Sequence, residues 1–478
     1  MEEQGRAGVR LVKQTTLYTL GIAVTRFANL LLLPLYLRTL SKEDYGALGV
    51  LEQLVQLLVI LTMAGGMETL VKIGTDVRET PGAPVRLVST MATWMVLSGL
   101  LVAGFGALVW PWASDLIGGI ALWPLGACAL LTVAGNAAFQ ALSAHLQVEG
   151  KARSHTLFQA LRTSLNVAIG VPLLLFTQLG VVALLLSACL SFWLCTLILI
   201  WRIPLDLRPM IDWALLKRVL SYGVPLMPHI GAAYIFQSID KLMLAGSAEH
   251  GLEVAGVYSV GSRIASGAMM LGLGMQRAWL PFFFKEARGE APNWERVRHL
   301  SFWSMSGMAA FVAVLSLTAP EIVALIAPGG YEAAVAVTSV LCLGTLYRTG
   351  AQTAGAVVLS SPSAAYRIWL ASLPAAALAI VLNLWWIPRW GALGACWATT
   401  IGMACNLLFT VAMSRAVQRV PFRYLPISVI LLVVTLLVVL AGTTPLLLRL
   451  ALCGVVPLLA LAFDWRFARG ELRRLLAG

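Results

Sequence analysis

The sequence predicts an all-α polytopic membrane protein, and three observations make that prediction. Of its 478 residues, 59% are hydrophobic and 12% charged, about half the charged share of an ordinary soluble domain. Apolar runs of about 20 residues, each enough to cross roughly 30 Å of hydrocarbon, recur from end to end. The stretches separating them are too short to fold as soluble domains, so any function has to reside in the helical bundle.

About fourteen spans follow. The first, 15–37, is uncharged except for Arg26, and 46–73 opens just after Glu43, Asp44 and Tyr45. The next four, 87–110, 120–146, 155–176 and 179–201, are separated by short polar or Gly/Pro-bearing turns and complete a six-helix N-terminal lobe, 1–201. Residues 202–222 are broken by Pro204 and Pro209 and then read as a short amphipathic helix. There Leu215, Leu216, Val219 and Leu220 alternate with Lys217 and Arg218, and Trp213 suits the headgroup level. This segment is expected to lie on the cytoplasmic face, either as a linker permitting motion of the halves or as a plain interfacial anchor. Spans at 223–245, 255–284, 300–319, 333–359, 365–387 and 391–414 build a C-terminal six-helix lobe, 223–414. Two further spans, 425–442 and 446–463, and a basic tail fill 415–478.

Charge sets the expected orientation. Of the 34 Lys and Arg, 24 fall in the termini and in the loops on their side, 4 in the opposite loops and 6 inside spans. That asymmetry obeys the positive-inside rule and predicts two cytoplasmic termini. The net charge of +12 is therefore a topology signal, and nucleic acid is not an expected partner. The seven cysteines all lie in spans without paired spacing, as small apolar packing residues do. No metal site or cofactor is expected. The first apolar segment is too long for the core of a cleavable signal peptide.

Short echoes point to an internal duplication. Gly46 in Asp44-Tyr45-Gly46 is matched by Gly256 in Ala255-Gly256-Val257-Tyr258. Leu165-Asn166 followed by Gly180-Val181-Val182-Ala183-Leu184 is matched by Leu382-Asn383 followed by Gly391-Ala392-Leu393-Gly394-Ala395. The offsets run from 210 to 217 residues. Six helices per copy keep the copies parallel, so the sequence predicts two like halves around a central cavity.

The residues that bear most on function are the six arginines inside spans: Arg26, Arg162, Arg263, Arg277, Arg348 and Arg449. An arginine at mid-bilayer costs about 2.5–3.5 kcal/mol on insertion scales and normally faces protein or a watery path. Few carboxylates accompany them: Glu52, Glu68, Asp240 and Glu321. Such a chain is expected to hold or move an anion. Arg26, Arg162, Arg263 and Arg348 are the candidate substrate-binding residues, at staggered depths. Arg277 and Arg449, close to span ends, are expected to snorkel to headgroups. Glu52, Asp240 and Lys241 are candidates for pairing or gating, and for Arg263 both pairing and anion contact stand open. Glu68 and Lys72, spaced four apart, are expected to form an ordinary pair.

Three motifs carry a family resemblance. Leu33-Pro34-Leu35-Tyr36 runs into Arg38-Thr39-Leu40-Ser41-Lys42-Glu43-Asp44-Tyr45-Gly46. Tyr222-Gly223-Val224-Pro225-Leu226-Met227-Pro228 leads to Asp240-Lys241 and Gly256-Val257-Tyr258-Ser259. Leu382-Asn383 leads through Ile387-Pro388 to Gly391-Ala392-Leu393-Gly394-Ala395 and Ala398-Thr399. In this order and at these helices, the chain resembles the oligosaccharide-flippase branch of the multidrug/oligosaccharidyl-lipid/polysaccharide exporter superfamily, closer to the O-antigen or exopolysaccharide repeat-unit flippases than to the lipid II flippases.

The resemblance implies two six-helix lobes working by alternating access and the flipping of a polyprenyl-diphosphate-linked glycan from the inner to the outer leaflet. It also implies an inner-membrane location, with a polysaccharide polymerase and glycosyltransferases as candidate partners beside the lipid bilayer itself. Guanidinium suits a diphosphate because it is permanently charged and presents paired donors. A lipid II flippase shares these expectations. A cation-coupled drug or metabolite antiporter of the same superfamily would be expected to carry carboxylates where this chain carries arginines. A polymerase or ligase acting on the same lipid-linked substrate would need an extended, catalytically equipped outer loop, and the outer loops here are short. A non-transporting scaffold or scramblase is a further alternative.

Overall fold

A segment alone in hydrocarbon can satisfy its backbone only as a helix, and helices make up nearly all regular structure among the described residues of the computed structural model. The described residues are 31–63, 73, 83–148, 151–202, 210–248, 251–287, 292–361, 364, 367–440 and 445–465. Among them, eight helices are long and apolar enough to cross a membrane. Arg26, Glu68, Lys72, Pro204 and Pro209 lie outside the described residues. The chain divides into two compact units, Met1–Tyr234 with Lys241–Gly256, and Ile235–Asp240 with Val257–Gly478.

In the first unit, α1 (Leu33–Thr39) begins on Pro34, which has no N–H to leave unsatisfied. Then α2 (Lys42–Met63) starts at Ser41, whose Oγ accepts the Asp44 backbone N–H at 3.0 Å and donates to the Asp44 carboxylate at 2.8 Å. Helix α3 (Ala83–Ala113) turns a stripe outward through Leu97, Leu101, Phe105, Leu108 and Trp112. An exposed apolar stripe at helical spacing is the face a bilayer covers. Helix α4 (Ala127–Val148) is the unit's core, packed against α2, α3 and its neighbours through buried alanines and Phe139.

A helical hairpin follows, α5 (Ala152–Phe176) and α6 (Val181–Arg202). Its turn ends on Gly180 at φ +54°, a left-handed conformation that favours glycine. Within the hairpin Ser187 Oγ donates to Asn166 Oδ1 at 2.9 Å. The amphipathic segment forms α7 (Trp213–Gly223), capped by Asp212, whose carboxylate accepts the N–H groups of Ala214 and Leu215. Leu216 and Val219 bury into a cluster with Leu87, Met91 and Met95 of α3 and Ala137 and Ala141 of α4. Lys217, Arg218 and Trp213 stay exposed. Helix α8 (Met227–Tyr234) completes this part of the chain, and α9 (Asp240–Ala245) follows a single π-helical turn, Ile235–Ile239.

The second unit is built from most of α10 (Gly251–Ala287), then α11 (Trp294–Leu317), α12 (Ala319–Ile326), α13 (Ala333–Ser360) and α14 (Trp369–Val417). Although α14 is helical over 49 residues, Gly391 breaks it at φ +52°, ψ −127°. A Cβ on Gly394 would lie 2.4 Å from the Trp386 carbonyl oxygen, and one on Gly402 would lie 3.1 Å from that of Ala375. Those contacts pair the two arms antiparallel, so α14 is a hairpin of two helices, as the sequence expects for 365–387 and 391–414. The glycines aligned by the sequence echo, Gly180 and Gly391, thus share a positive φ. Three shorter helices close the chain: α15 (Tyr424–Leu440), α16 (Leu446–Cys453) and α17 (Val455–Phe463). Packing of α15, α16 and α17 against α11 fixes these extra helices onto the unit.

Candidate functional site

In the first unit Arg162, on the middle turns of α5, sits in an apolar setting. Its guanidinium carbon sits 4.7 Å from the centre of the Phe192 ring on α6, a cation–π distance. Nη2 also donates to Thr163 Oγ1 at 3.3 Å. Phe192 belongs to the surroundings of a core cluster made by Phe139, Leu142, Leu146, Cys195 and Leu199. Among the described residues no carboxylate pairs with Arg162. The hairpin places it there because the helical spacing of Phe158, Leu161 and Leu165 turns one face of α5 to that cluster. The result is a half-buried cation held by a ring face and a hydroxyl, which leaves guanidinium N–H groups able to receive an anion.

Arg348 lies at the centre of α13 in the second unit. Its Nη1 donates to Met269 Sδ on α10 at 3.6 Å, and Gln237 Nε2 donates to the same sulfur at 3.4 Å. Thioether sulfur is a weak, neutral acceptor. Arg348, Gln237 and Met269 therefore form one polar patch of two donors on a soft acceptor, suited to an oxyanion or a sugar hydroxyl. Arg263, also on α10, is half-buried six residues before Met269.

The gating candidates sit differently. Asp240 is 2% exposed, and its Oδ2 accepts the Tyr258 hydroxyl of α10 and, at 3.2 Å, the Thr399 hydroxyl of the second α14 arm. Tyr258 and Thr399 are themselves buried. Asp240, Tyr258 and Thr399 come from two of the motifs that carry the family resemblance. Spacing showed them as separate stretches, and the fold joins them in one buried network. Glu52 is half-buried on α2 in the first unit, and Lys241 half-buried at the start of α9.

The remaining motif explains itself through a helix crossing. A Cβ on Gly46 would fall 1.9 Å from the Leu252 carbonyl oxygen, and one on Gly256 would fall 2.2 Å from that of Lys42. So α2 meets the first turns of α10 backbone to backbone, and only glycine fits at either position. Lys42 Nζ to Glu253 Oε1, 3.1 Å, closes the same crossing at an exposed edge.

Two further charged groupings were not foreseen. Arg449, expected to snorkel, is buried and grips Glu321: Nη2–Oε1 is 2.7 Å, Nη1–Oε2 is 3.2 Å, and Nη1 also donates to the Leu317 carbonyl at 3.1 Å. Asp464, 3% exposed, receives His299 Nδ1 at 2.8 Å, Trp303 Nε1 at 3.0 Å and an Arg423 nitrogen at 2.8 Å. These clasps hold the C-terminal helices to α11 and α12. Arg277 is exposed, as its position near a span end suggested. Among the described residues no group of His, Cys, Asp and Glu is arranged to hold a metal ion.

Comparison with known proteins gives these sites their setting. A family model described as polysaccharide biosynthesis protein matches residues 11–286. None of the curated proteins matches by sequence. Among solved structures, the lipid II flippase MurJ in an inward closed conformation has a TM-score of 0.70 at 14% identity, covering 96% of this chain and 100% of its own. An inward-facing multidrug resistance MATE family transporter of the MOP superfamily has a TM-score of 0.62 at 16% identity, covering 85% and 98%. A MOP superfamily transporter from Pyrococcus furiosus, for which reversed binding-pocket polarity suggests a different function, gives 0.54 at 15%, covering 91% and 96%. At such identities the likeness is one of fold. The chain is a polytopic membrane protein with the fold of these transporters, and it belongs to the polysaccharide biosynthesis protein family.

Proposed function

We propose that this protein is a flippase that carries a polyprenyl-diphosphate-linked oligosaccharide, a polysaccharide or O-antigen repeat unit, from the inner to the outer leaflet of the cytoplasmic membrane by alternating access. Family membership supports the glycan-building context. The observation that carries the reading is Arg162. A guanidinium among apolar side chains, on a ring face and with no carboxylate pairing it among the described residues, keeps its charge for a transient anion. Arg348, whose Nη1 donates to the neutral sulfur of Met269, offers guanidinium donors in the second unit, and Gln237 beside it suits a sugar hydroxyl. Arg26 and Arg263 extend the set of substrate contacts, while Glu52, Asp240 and Lys241 serve pairing and gating. The excess of Lys and Arg on one side of the spans supports two cytoplasmic termini. Glycosyltransferases that supply the lipid-linked unit and a polymerase that consumes it are the partners this reading implies.

The test is export in living cells. Arg162→Ala and Arg348→Ala are expected to reach the membrane at normal levels yet lose surface polysaccharide, with lipid-linked precursor accumulating. Arg162→Lys, which keeps charge but not the forked donors, is expected to restore part of the export. Normal export by well-expressed alanine variants of both residues contradicts the proposal.

A further inference from the structure

The C-terminal end of α14 and the segment just beyond it carry two arginines that the transport reading does not use. Arg415 lies in the last turn and Arg419 just beyond the end of the helix at Val417; both are exposed, and neither pairs with a carboxylate among the described residues. Neighbouring like charges repel. The C-terminal end of the helix offsets part of this, since cations are favoured there. A third arginine nearby, Arg423, is neutralised by Asp464 at 2.8 Å, so the two unpaired groups form a distinct local charge.

They open onto a cavity of about 700 Å³ lined also by Ala412, Ala416, Val420, Pro421, Phe422 and Tyr424. Arg415 lies 4.9 Å from the centre of the Tyr424 ring, and Phe422 meets the same ring edge-on at 5.9 Å. The Tyr424 hydroxyl is buried without a hydrogen-bond partner among the described residues, although buried hydroxyls are normally satisfied. Leu408 and Phe409, within two turns before Arg415, and Leu425, just beyond Tyr424, present exposed apolar side chains. The cavity thus sits where an apolar helix surface gives way to cationic groups with aromatic residues at the boundary, the residue pattern of a membrane–water interface.

We propose that this cavity binds the phosphate headgroup of an anionic phospholipid. Arg415 and Arg419 grip the phosphate oxygens, the Tyr424 hydroxyl donates a further hydrogen bond, and the acyl chains run along the Leu408–Phe409 surface. Free phosphate or pyrophosphate shares the oxyanion chemistry but has no use for that apolar surface. Basic pockets among membrane helices take acidic headgroups in this way.

The experiment is native mass spectrometry of the full-length chain from mixed phosphatidylglycerol and phosphatidylcholine, with melting temperature as a second readout. Wild type is expected to retain phosphatidylglycerol selectively and to melt higher with it than with phosphatidylcholine. Arg415→Gln with Arg419→Gln is expected to weaken retention roughly tenfold or more, at about 1 kcal/mol per basic residue. Arg296→Gln, whose guanidinium is already paired with Glu286 at 3.0 Å, is expected to change nothing. Tyr424→Phe is expected to weaken retention alone, without loss of folding. Equal phosphatidylglycerol retention by the double variant overturns the proposal. So does inorganic pyrophosphate in detergent raising the melting temperature as much as the lipid, because that outcome assigns the site to a soluble anion.

Discussion

Arg449 and Glu321 form a two-pronged ion pair, Nη2–Oε1 at 2.7 Å and Nη1–Oε2 at 3.2 Å, that ties α16 to the first turn of α12. Arg449 is largely buried while the Glu321 side chain remains 39% exposed. Removing one partner of a fully buried pair costs about 3–5 kcal/mol, and the half-open carboxylate lowers that here. Glu321→Ala is therefore expected to destabilise by about 2 kcal/mol. Arg449→Met with Glu321→Leu is expected to regain most of that loss. Thermal unfolding in detergent checks both, and an unchanged midpoint in Glu321→Ala would deny the pair a structural role.

This pair also marks what the sequence makes legible. Hydropathy and charge placed Arg449 near a span end, where snorkelling is the ordinary expectation, and placed Glu321 at the end of another span. Nothing in one dimension shows that two residues 128 positions apart meet. Asp464, His299 and Arg423 were hidden for the same reason. By contrast, local chemistry was readable. Gly391 marked a span boundary because the chain there needs a positive φ, and the amphipathic pattern of 213–223 predicted which side of α7 would be buried. The candidate site was legible in part: the rarity of arginine in apolar helices singled out Arg162 and Arg348, but not the ring of Phe192 or the sulfur of Met269 beside them.

At the crossing of α2 and α10, Gly46→Ala and Gly256→Ala each push a methyl group into a backbone carbonyl. Backbone cannot swing aside as a side chain can, so each is expected to destabilise by about 2–3 kcal/mol or to separate the helices. Lys42→Gln, at the exposed edge of the same crossing, is expected to cost less than about 1 kcal/mol. Comparing the three melting curves tests this ordering, and equal effects for Gly46→Ala and Lys42→Gln would contradict it.

Asp240 offers a cleaner division between structure and gating. Asp240→Leu leaves the Tyr258 and Thr399 hydroxyls buried without an acceptor, a loss of about 1–3 kcal/mol for each. Asp240→Asn keeps an acceptor oxygen and is expected to cost about 1 kcal/mol. A lowered melting point in Asp240→Leu together with near-normal stability in Asp240→Asn is the expected outcome. Unchanged stability in both variants with lost export would assign Asp240 to gating alone.

Asn383 is fully buried, and neither polar atom of its side chain finds a partner among the described residues. Its counterpart in the echo, Asn166, accepts from Ser187 at 2.9 Å, whereas the residue 211 positions after Ser187 is Ala398. Replacing an unsatisfied buried amide by an apolar group of similar size is expected to stabilise, by about 1 kcal/mol for Asn383→Leu. A lower melting temperature in that variant would show that the amide is held by a bond the fold provides.

Glycolipid flipping in proteoliposomes tests the central claim most directly. With purified protein and a polyprenyl-diphosphate-linked oligosaccharide, wild type is expected to make the inner-leaflet pool accessible from outside. Arg162→Ala and Arg348→Ala are each expected to slow that transfer at least about tenfold, the worth of one charge-assisted contact of about 1.4 kcal/mol or more. Transfer at the wild-type rate by the double alanine variant would mean that the buried guanidinium groups do not carry the diphosphate.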